Sequence, residues 1–324
     1  MRYDEQDRES SNVEDRRGMG GGGFRLPGWG GIRIPIGGRG GFSLTTLLII
    51  GAIMLLFGIN PLEVLMQGGR VNFPDIPQLP QSREVDRRTA ERSPYDIPGL
   101  PGGEAKKSDS VDEMKVFVSR VLADTEDVWR SVFQSVGRDY KDPRLVLFSG
   151  GTQTACGVGA SAMGPFYCPN DQKIYVDLDF YDQLKRRFHA PGDFAQAYVI
   201  AHEVGHHVQT LLGIAAKVQQ AQRGLDEREA NALQVRMELQ ADCLAGVWAN
   251  LNDQLKNRLE PGDIEEALNA ASQIGDDMMQ KRQQGYVVPD AFTHGSAEQR
   301  VRWFKRGFEA GKMQACDTFG AENL

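Results

Sequence analysis

Three side chains between residues 202 and 206 have the types and spacing of a metal-dependent hydrolytic site. The sequence reads His202-Glu203-Val204-Gly205-His206, and in a helix the two histidines lie one turn apart on the same face. Two imidazoles placed in this way can bind one Zn²⁺, while Glu203 lies beside a water bound to the metal. The pattern therefore predicts metal-assisted hydrolysis, with His202 and His206 as ligands and Glu203 as the general base.

The residues around this motif have the pattern of a helix. Asp193 is a suitable N-cap, an apolar stripe follows at helical spacing, and Gly213 is a natural end. The alternative is a buried helix whose polar residues match the motif by chance.

A catalytic zinc site needs a third protein ligand and leaves one position for water. Glu238 is our candidate, on a helix that we predict over about 226–255. Asp242 lies one turn further and could accept the N–H of a ligating histidine. Their neighbours are mostly apolar and small, and buried carboxylates there need a partner. The alternatives are a solvated acidic face, or a ligand among His207, Glu227 and Glu229, with His207 better placed for packing.

The strands and helices predicted around these residues indicate an α+β domain, with a small sheet before a mainly helical half. Strands are predicted at residues 144–148 and 173–178, and an interrupted one within 160–168. Periodicity predicts further helices, over 110–137 (with Asp124 as a candidate break), 261–284 and 296–311.

The composition of the whole chain limits the other possibilities. Its 324 residues have a formal net charge of −7 and are 40% hydrophobic, which fits one sizeable domain with additional segments. Without a strongly basic block, nucleic acid is excluded as the main partner. Residues 1–41 are rich in glycine and charge and poor in apolar residues, which predicts a disordered N-terminus.

Residues 42–59 form an uncharged apolar run. At about 1.5 Å per residue, it is just long enough to cross the hydrocarbon core of a membrane. A cleaved signal peptide fits poorly because the run begins far from Met1, and a core helix fits poorly because its flanks look disordered. We therefore expect a single transmembrane helix in the cytoplasmic membrane. Arginines before the run place the N-terminus in the cytoplasm and the later residues in the periplasm or cell exterior.

A proline-rich linker is predicted over 60–107, followed by the catalytic domain over 108–324. All four cysteines lie in that domain, and an exported domain permits disulfides. Three pairings are open. We favour a local Cys156–Cys168 bridge across a glycine-rich turn, which leaves Cys243 with Cys316. Four free thiols, or a thiolate zinc site, are the alternatives.

Several stretches of the chain resemble a known family. Glu203 and its flanking histidines, followed by Glu238-x-x-x-Asp242, are similar to the gluzincin class of zinc peptidases. Residues 156–169, 201–207, 238–246 and 293–300 more closely resemble the bacterial family of neutral zinc metallopeptidases, over about 139–319. The resemblance implies a zincin-like fold, one Zn²⁺ per chain and a peptide or protein substrate.

The same resemblance implies two further roles. An edge strand beside the metal helix would pair with the substrate backbone, and its match here is Gly159, Ala160, Ser161 and Ala162; the alternative is a plain edge strand. His294 would hydrogen-bond the oxyanion, with Arg300 assisting it or holding the loop. The alternative for His294 is a solvated loop histidine.

We therefore expect a membrane-anchored zinc endopeptidase with Glu203 as its base and His294 as an oxyanion donor. Two other hypotheses stay open. One is a zinc-stabilised scaffold or adaptor that presents a peptide groove without cleaving. The other is a zinc amidase that acts on cell-wall material, for which no carbohydrate-binding feature is recognisable.

Overall fold

The structure is a computed structural model that describes residues 1–18 and 105–324, with side chains described at 1–18 and 113–324. The predicted apolar run at 42–59 and nearly all of the predicted linker lie outside these residues. Within residues 1–18 and 105–324, no helix has the length and apolar character needed to cross a bilayer.

The prediction of a disordered N-terminus is wrong for residues 1–18. Strand β1, Val13–Asp15, pairs in parallel with β2, Arg144–Phe148, in the register Val13 with Leu145. Composition indicated disorder because this segment has too few apolar residues to build a core. It needs none of its own, since it adds to the sheet of the catalytic domain and pairs its charges there.

The main sheet has four strands in the order β1-β2-β6-β5, with β5 antiparallel to β6. Residues 145–148 of β2 are all buried, as is typical of a parallel strand covered on both faces. Strands β3 and β4 form a separate antiparallel hairpin. The remaining strands are β3 Gly151–Thr154, β4 Gly157–Ala160, β5 Phe166–Cys168 and β6 Lys173–Asp177.

The interrupted strand predicted within residues 160–168 is two separate strands. Strand β4 ends at Ala160, a 3₁₀ turn covers Ser161–Met163, and β5 begins at Phe166. Gly164 has φ +76° and is followed by Pro165, which lacks the N–H that a ladder needs. Ser161 and Ala162 are therefore not in an edge strand, which corrects that part of the substrate-strand prediction.

The helical half matches the predicted pattern with four differences, one of which is an unpredicted helix at Ile214–Gln222. The first helix runs through Asp124 without a break, because that carboxylate bonds to Lys256 and Arg258 rather than to its own backbone. The predicted helix at 261–284 is divided at residues 274–275, and a short helix follows β6. The helices are α1 Ala105–Ser135, α2 Asp179–Arg186, α3 Asp193–Leu211, α4 Ile214–Gln222, α5 Glu227–Lys256, α6 Asp263–Gln273, α7 Asp276–Gln284 and α8 Ala297–Ala310.

The metal-motif helix α3 packs closely on α5 at one small residue. A β-carbon on Gly205 would lie 3.0 Å from the carbonyl oxygen of Ala241 and 3.1 Å from its α-carbon. Glycine thus lets the two backbones approach, and the histidine face of α3 meets the carboxylate face of α5. On the other side of α5, a β-carbon on Gly307 of α8 would overlap the carbonyl oxygen of Cys243.

Both favoured disulfides are confirmed. Cys156 is bonded to Cys168, and Cys243 to Cys316. The first joins the loop between β3 and β4 to β5. The second ties α5 to the C-terminal segment, because Cys316 ends a 3₁₀ turn at Met313–Cys316.

We predict that Gly307→Ala destabilises the domain by about 3 kcal/mol, the upper end of what overpacking costs. The added methyl group meets backbone rather than a side chain that could move aside. Gly224→Ala is the matched control, because an added β-carbon there has no heavy atom of the described residues within 4 Å. Denaturant unfolding of both variants measures the difference. Equal stability of the two variants would contradict the close α5–α8 packing.

Candidate metal centre

The structure brings His202, His206 and Glu238 together between α3 and α5. The Nε2 atoms of both histidines lie 3.2 Å from Oε2 of Glu238, and a ligand atom from each of the three residues lies within 4.8 Å of the others. Atoms held about 2.0–2.1 Å from one tetrahedral ion are about 3.3 Å apart. The three side chains thus have the separation that a shared zinc ion requires.

The tautomers of the two histidines follow from their other contacts. Nδ1 of His202 lies 2.8 Å from a carboxylate oxygen of Asp242, and Nδ1 of His206 lies 2.9 Å from Oε1 of Gln209. The amide nitrogen of Gln209 donates to the carbonyl oxygen of Met237 at 2.7 Å, so its oxygen is the atom that faces His206. Both Nδ1 atoms are therefore donors, and both Nε2 lone pairs face Glu238.

Three acceptors then converge on one point, an arrangement that a cation stabilises. The second oxygen of Glu238 accepts a hydrogen bond from Nε2 of Gln234 at 2.8 Å, which fixes the plane of the carboxylate. The donor set of two imidazoles and one carboxylate is typical of catalytic zinc sites, in which the fourth position holds water.

The pKa values of His202 and Glu238 also show that the site stabilises positive charge. Burial alone would lower the pKa of His202, but Asp242 and Glu238 outweigh it and raise that pKa to about 10. Burial alone would raise the pKa of Glu238, but His206 and His202 hold it well below its usual range. A metal ion supplies this positive charge without protons.

Asp242 is the centre of a buried network behind His202. It is 0% exposed, and its Oδ1 accepts from His202, from the Tyr198 hydroxyl at 2.5 Å and from Nη2 of Arg300 at 2.9 Å. Nε of Arg300 bonds to Oδ2 at 2.8 Å. Burial would raise the pKa of Asp242, but Arg300 and His202 hold it below its usual range. The predicted position of Asp242 behind a ligating histidine agrees with this geometry.

Arg300 is part of the same network and faces away from solvent. Only 3% of the residue is exposed, and its two bonds to Asp242 form the fork that guanidinium and carboxylate groups favour. These contacts hold Asp242 rather than the loop of His294, and the two roles that the sequence left open for Arg300 stay predictions.

Glu203 follows the first ligand on α3 and is 7% exposed. Its burial raises the pKa of the carboxyl group, while the positive charges of His202 and His206 act in the opposite direction. A carboxylate whose pKa is raised is a stronger base, which is the property that a proton-accepting residue needs.

His294 lies on the loop between α7 and α8, near the metal centre. Its side chain is 51% exposed, and its positive charge lowers the pKa of both Glu203 and Glu238. Asp276 orders this loop, because Oδ2 accepts the backbone N–H groups of Thr293, His294 and Gly295 at 2.6–3.0 Å. Its Oδ1 lies 3.3 Å from Nδ1 of the imidazole. The predicted oxyanion role stays a prediction.

Comparison with known proteins agrees with this geometry. The sequence matches the family described as "Putative neutral zinc metallopeptidase" over residues 1–319. The chain belongs to that family. Membership implies zinc as the metal and peptides as the substrate class, and it confirms the resemblance that the motifs indicated.

Similar proteins occur in distant bacteria. The chain is 47% identical to the uncharacterized protein YpfJ of Escherichia coli (strain K12) over 319 residues, 97% of each chain. It is 44% identical to the uncharacterized protein Rv2575 of Mycobacterium tuberculosis (strain H37Rv) over 207 residues, 61% of this chain and 68% of that protein. No solved structure matches the chain.

The other candidate ligands have different roles in this member of the family. His207 is buried; its Nδ1 lies 3.0 Å from the Tyr167 hydroxyl and its Nε2 lies 2.6 Å from the carbonyl oxygen of Lys141. It therefore joins α3 to β5, which is the packing role that the sequence favoured. Glu229 caps the first turn of α5 with Asp226, and Glu227 lies in that same turn.

Strand β5 is the strand of the main sheet that contacts helix α3. Residues 159–162, which the resemblance assigned to substrate binding, do not belong to that sheet. Tyr167 of β5 makes the bond to His207, whereas Gly159 and Ala160 pair with β3 in the hairpin. Ser161 bonds through its hydroxyl to Asp177. The ring of Phe166 fills the space beside Gly159, so the hairpin packs on β5.

Sequence reasoning missed Gln209, Gln234 and Asp276. The first two had a usable signal, since Gln209 lies three residues after His206 and Gln234 four before Glu238, on the same helix faces. For Asp276 the sequence carries no such signal, because the separation from His294 is 18 residues across a loop.

A second group of acids, Asp193, Asp263 and Glu266, also lies within range of a shared cation. The Met1 ammonium group occupies this position, 2.7 Å from Asp193 and 3.2 Å from Asp263. Asp193 and Asp263 are therefore paired with a positive charge of the chain itself, and Glu266 accepts the backbone N–H of Phe194 at 3.0 Å.

We predict that Gln209→Met weakens zinc binding about tenfold, the lower end of the effect of removing such a partner. His206 loses the acceptor that orients its ring, while the volume of the side chain is nearly kept. Competition with a chromophoric chelator measures the affinity. Gln219→Met, at an exposed position of α4, is the control and should leave the affinity unchanged. Equal affinity of both variants would show that the amide does not orient the ligand.

Proposed function

We propose that this protein is a zinc-dependent endopeptidase that binds one zinc ion at His202, His206 and Glu238. The observation that carries the proposal is the convergence of two Nε2 lone pairs and a carboxylate oxygen, with both Nδ1 protons fixed by Asp242 and Gln209. A buried glutamate with a raised pKa follows the first ligand on the same helix. Together they provide the groups that hydrolysis by an activated water needs.

His202, His206 and Glu238 would hold the zinc ion, which would supply the Lewis acidity that activates a water and polarises a substrate carbonyl. Glu203 accepts a proton from the attacking water and transfers it to the leaving amine. Asp242, held by Arg300, keeps the imidazole of His202 in the Nδ1–H tautomer throughout the reaction. Gln209 does the same for His206.

His294 is our candidate donor to the carbonyl oxygen as that oxygen gains negative charge. Its partial exposure leaves it accessible to a substrate, and Asp276 fixes both its backbone and the Nδ1 side of its ring. The Nε2 side is then the side available for a substrate.

Two parts of the sequence-based expectation are kept as proposals without structural support. One is membrane association through residues 42–59, which lie outside the described part of the chain. The other is cleavage within a chain rather than at its ends. A non-cleaving scaffold and a cell-wall amidase share the same metal site, so they are distinguished by experiment.

We predict that Glu203→Gln keeps the fold and one bound zinc per chain but lowers peptide cleavage by at least about 100-fold, as loss of a general base does. The amide has the shape of the carboxylate but cannot accept the proton. Cleavage of a denatured protein mixture, followed by mass spectrometry of new termini, gives the rate. Native mass spectrometry gives the zinc content.

Glu265→Gln, at an exposed position of α6, is the matched control and should cleave normally. Full activity of Glu203→Gln would reject the mechanism. No cleavage by the parent chain, together with normal cellular function of Glu203→Gln, would favour the scaffold. Release of cell-wall peptides with no effect on proteins would favour the amidase.

A further inference from the structure

We infer that the N-terminal segment, residues 1–18, is a fixed part of the catalytic domain, so that both lie on the same side of any membrane that the chain meets. This arrangement replaces the one expected from the sequence, with a cytoplasmic N-terminus and an external domain. The inference concerns topology and is independent of the proposed peptidase activity.

Backbone hydrogen bonds first tie the segment to the domain. The Leu145 N–H donates to the carbonyl oxygen of Asn12 at 3.0 Å, and the Arg16 N–H donates to that of Leu147 at 2.8 Å. Strand β1 is thus an edge of the main sheet, next to β2. On the other side of the segment, the Arg2 N–H donates to the carbonyl oxygen of Arg258 at 2.9 Å.

A buried carboxylate then depends on the segment for its partners. Glu126 of α1 is 0% exposed. Its oxygens accept from the Ser10 hydroxyl at 2.5 Å, the Asn12 amide at 2.8 Å and Nη1 of Arg8 at 2.9 Å. Without these three residues, the other cation near Glu126 is Arg130, 3.8 Å away on the same helix. A buried carboxylate that loses such partners is strongly destabilising.

A second buried carboxylate, Asp124, is linked to the segment through Arg258. Arg258 bonds to Asp124 at 3.0 Å and makes a two-pronged pair with Asp7 at 2.6 and 2.7 Å. The Tyr3 hydroxyl donates to Asp124 at 3.1 Å, and the guanidinium carbon of Arg258 lies 4.5 Å from the centre of the Tyr3 ring. The segment therefore completes two internal charge clusters of the domain.

These contacts cannot form if the chain crosses a membrane once between residues 18 and 105. One crossing between residues 18 and 105 would place about 30 Å of hydrocarbon between β1 and β2, whose hydrogen bonds are about 3 Å long. Docking of residues 1–18 from a second copy of the chain would meet the same barrier, because every copy would have the same topology. At about 1.5 Å per residue, the run at 42–59 is too short to cross twice as a helix.

Two further observations agree with the inference. The family match begins at residue 1, so the segment belongs to the sequence that the family shares. Both disulfides of the domain need an oxidising compartment, and the inference extends that compartment to residues 1–18.

Cysteine labelling of the full-length chain in intact bacterial cells tests the topology. Glu5→Cys and Glu322→Cys place single thiols at exposed positions of the segment and of the C-terminus. We expect a membrane-impermeant maleimide to label both equally, either both before or both after the inner membrane is permeabilised. The parent chain, whose cysteines are paired, gives the background. Labelling of the two positions from opposite sides would overturn the inference.

A double-mutant cycle on the purified full-length chain tests the docking separately. Arg8→Met and Glu126→Gln should each lower the melting temperature by about 2–4 °C, because each removes one charge of the Arg8–Glu126 pair. The double variant should lose clearly less than the sum of the two. Strictly additive effects would show that residues 8 and 126 do not interact, and would overturn the docked position.

Discussion

The metal centre depends on how closely α3 approaches α5. Gly205, between the two histidines of the motif, faces the backbone of Ala241, which lies between Glu238 and Asp242. The two positions at the contact are therefore small, while the positions on either side carry the imidazoles and the carboxylates. A larger residue at 205 would separate the helices and with them the ligand atoms, so a packing constraint sets the coordination geometry.

The groups behind the ligands show how charge is accommodated in a nearly dry interior. Arg300, Asp242, Tyr198 and His202 form one hydrogen-bonded set in which each charge has a partner. Such a set is costly when incomplete and rigid when complete. The site thus has little freedom to rearrange, which is what a catalyst that relies on preset dipoles and lone pairs requires.

Much of this site could be predicted from the sequence because the motifs that indicate it are made of residues close together in the chain. The histidines and the Glu238–Asp242 pair each follow helical spacing, and the apolar residues around Glu238 indicated a buried carboxylate. The position of Cys156 and Cys168 across a glycine-rich turn indicated a local bridge. In each case, residues no more than 12 positions apart carry the signal.

What the sequence did not predict depends on contacts between distant parts of the chain. Composition assigned residues 1–18 to disorder because it takes no account of a sheet edge elsewhere that accepts a polar strand. Asp276 lay inside the helix predicted over 261–284, although in the structure it holds the His294 loop through three backbone N–H groups. The break at residues 274–275 likewise follows from packing against the loop before α8, since a β-carbon on Gly275 would overlap the backbone of Ala297.

The position of β1 also has a consequence for the order of folding. Arg8 and Glu126 are 118 residues apart in the chain, so residues 1–18 are synthesised well before the helix and strand that hold them in place. Until β2 has been synthesised, β1 has no strand to pair with and the sheet lacks its edge strand. Contacts of such long range slow folding. The domain therefore becomes complete only after residues 1–18 have paired with parts of the chain that are synthesised later.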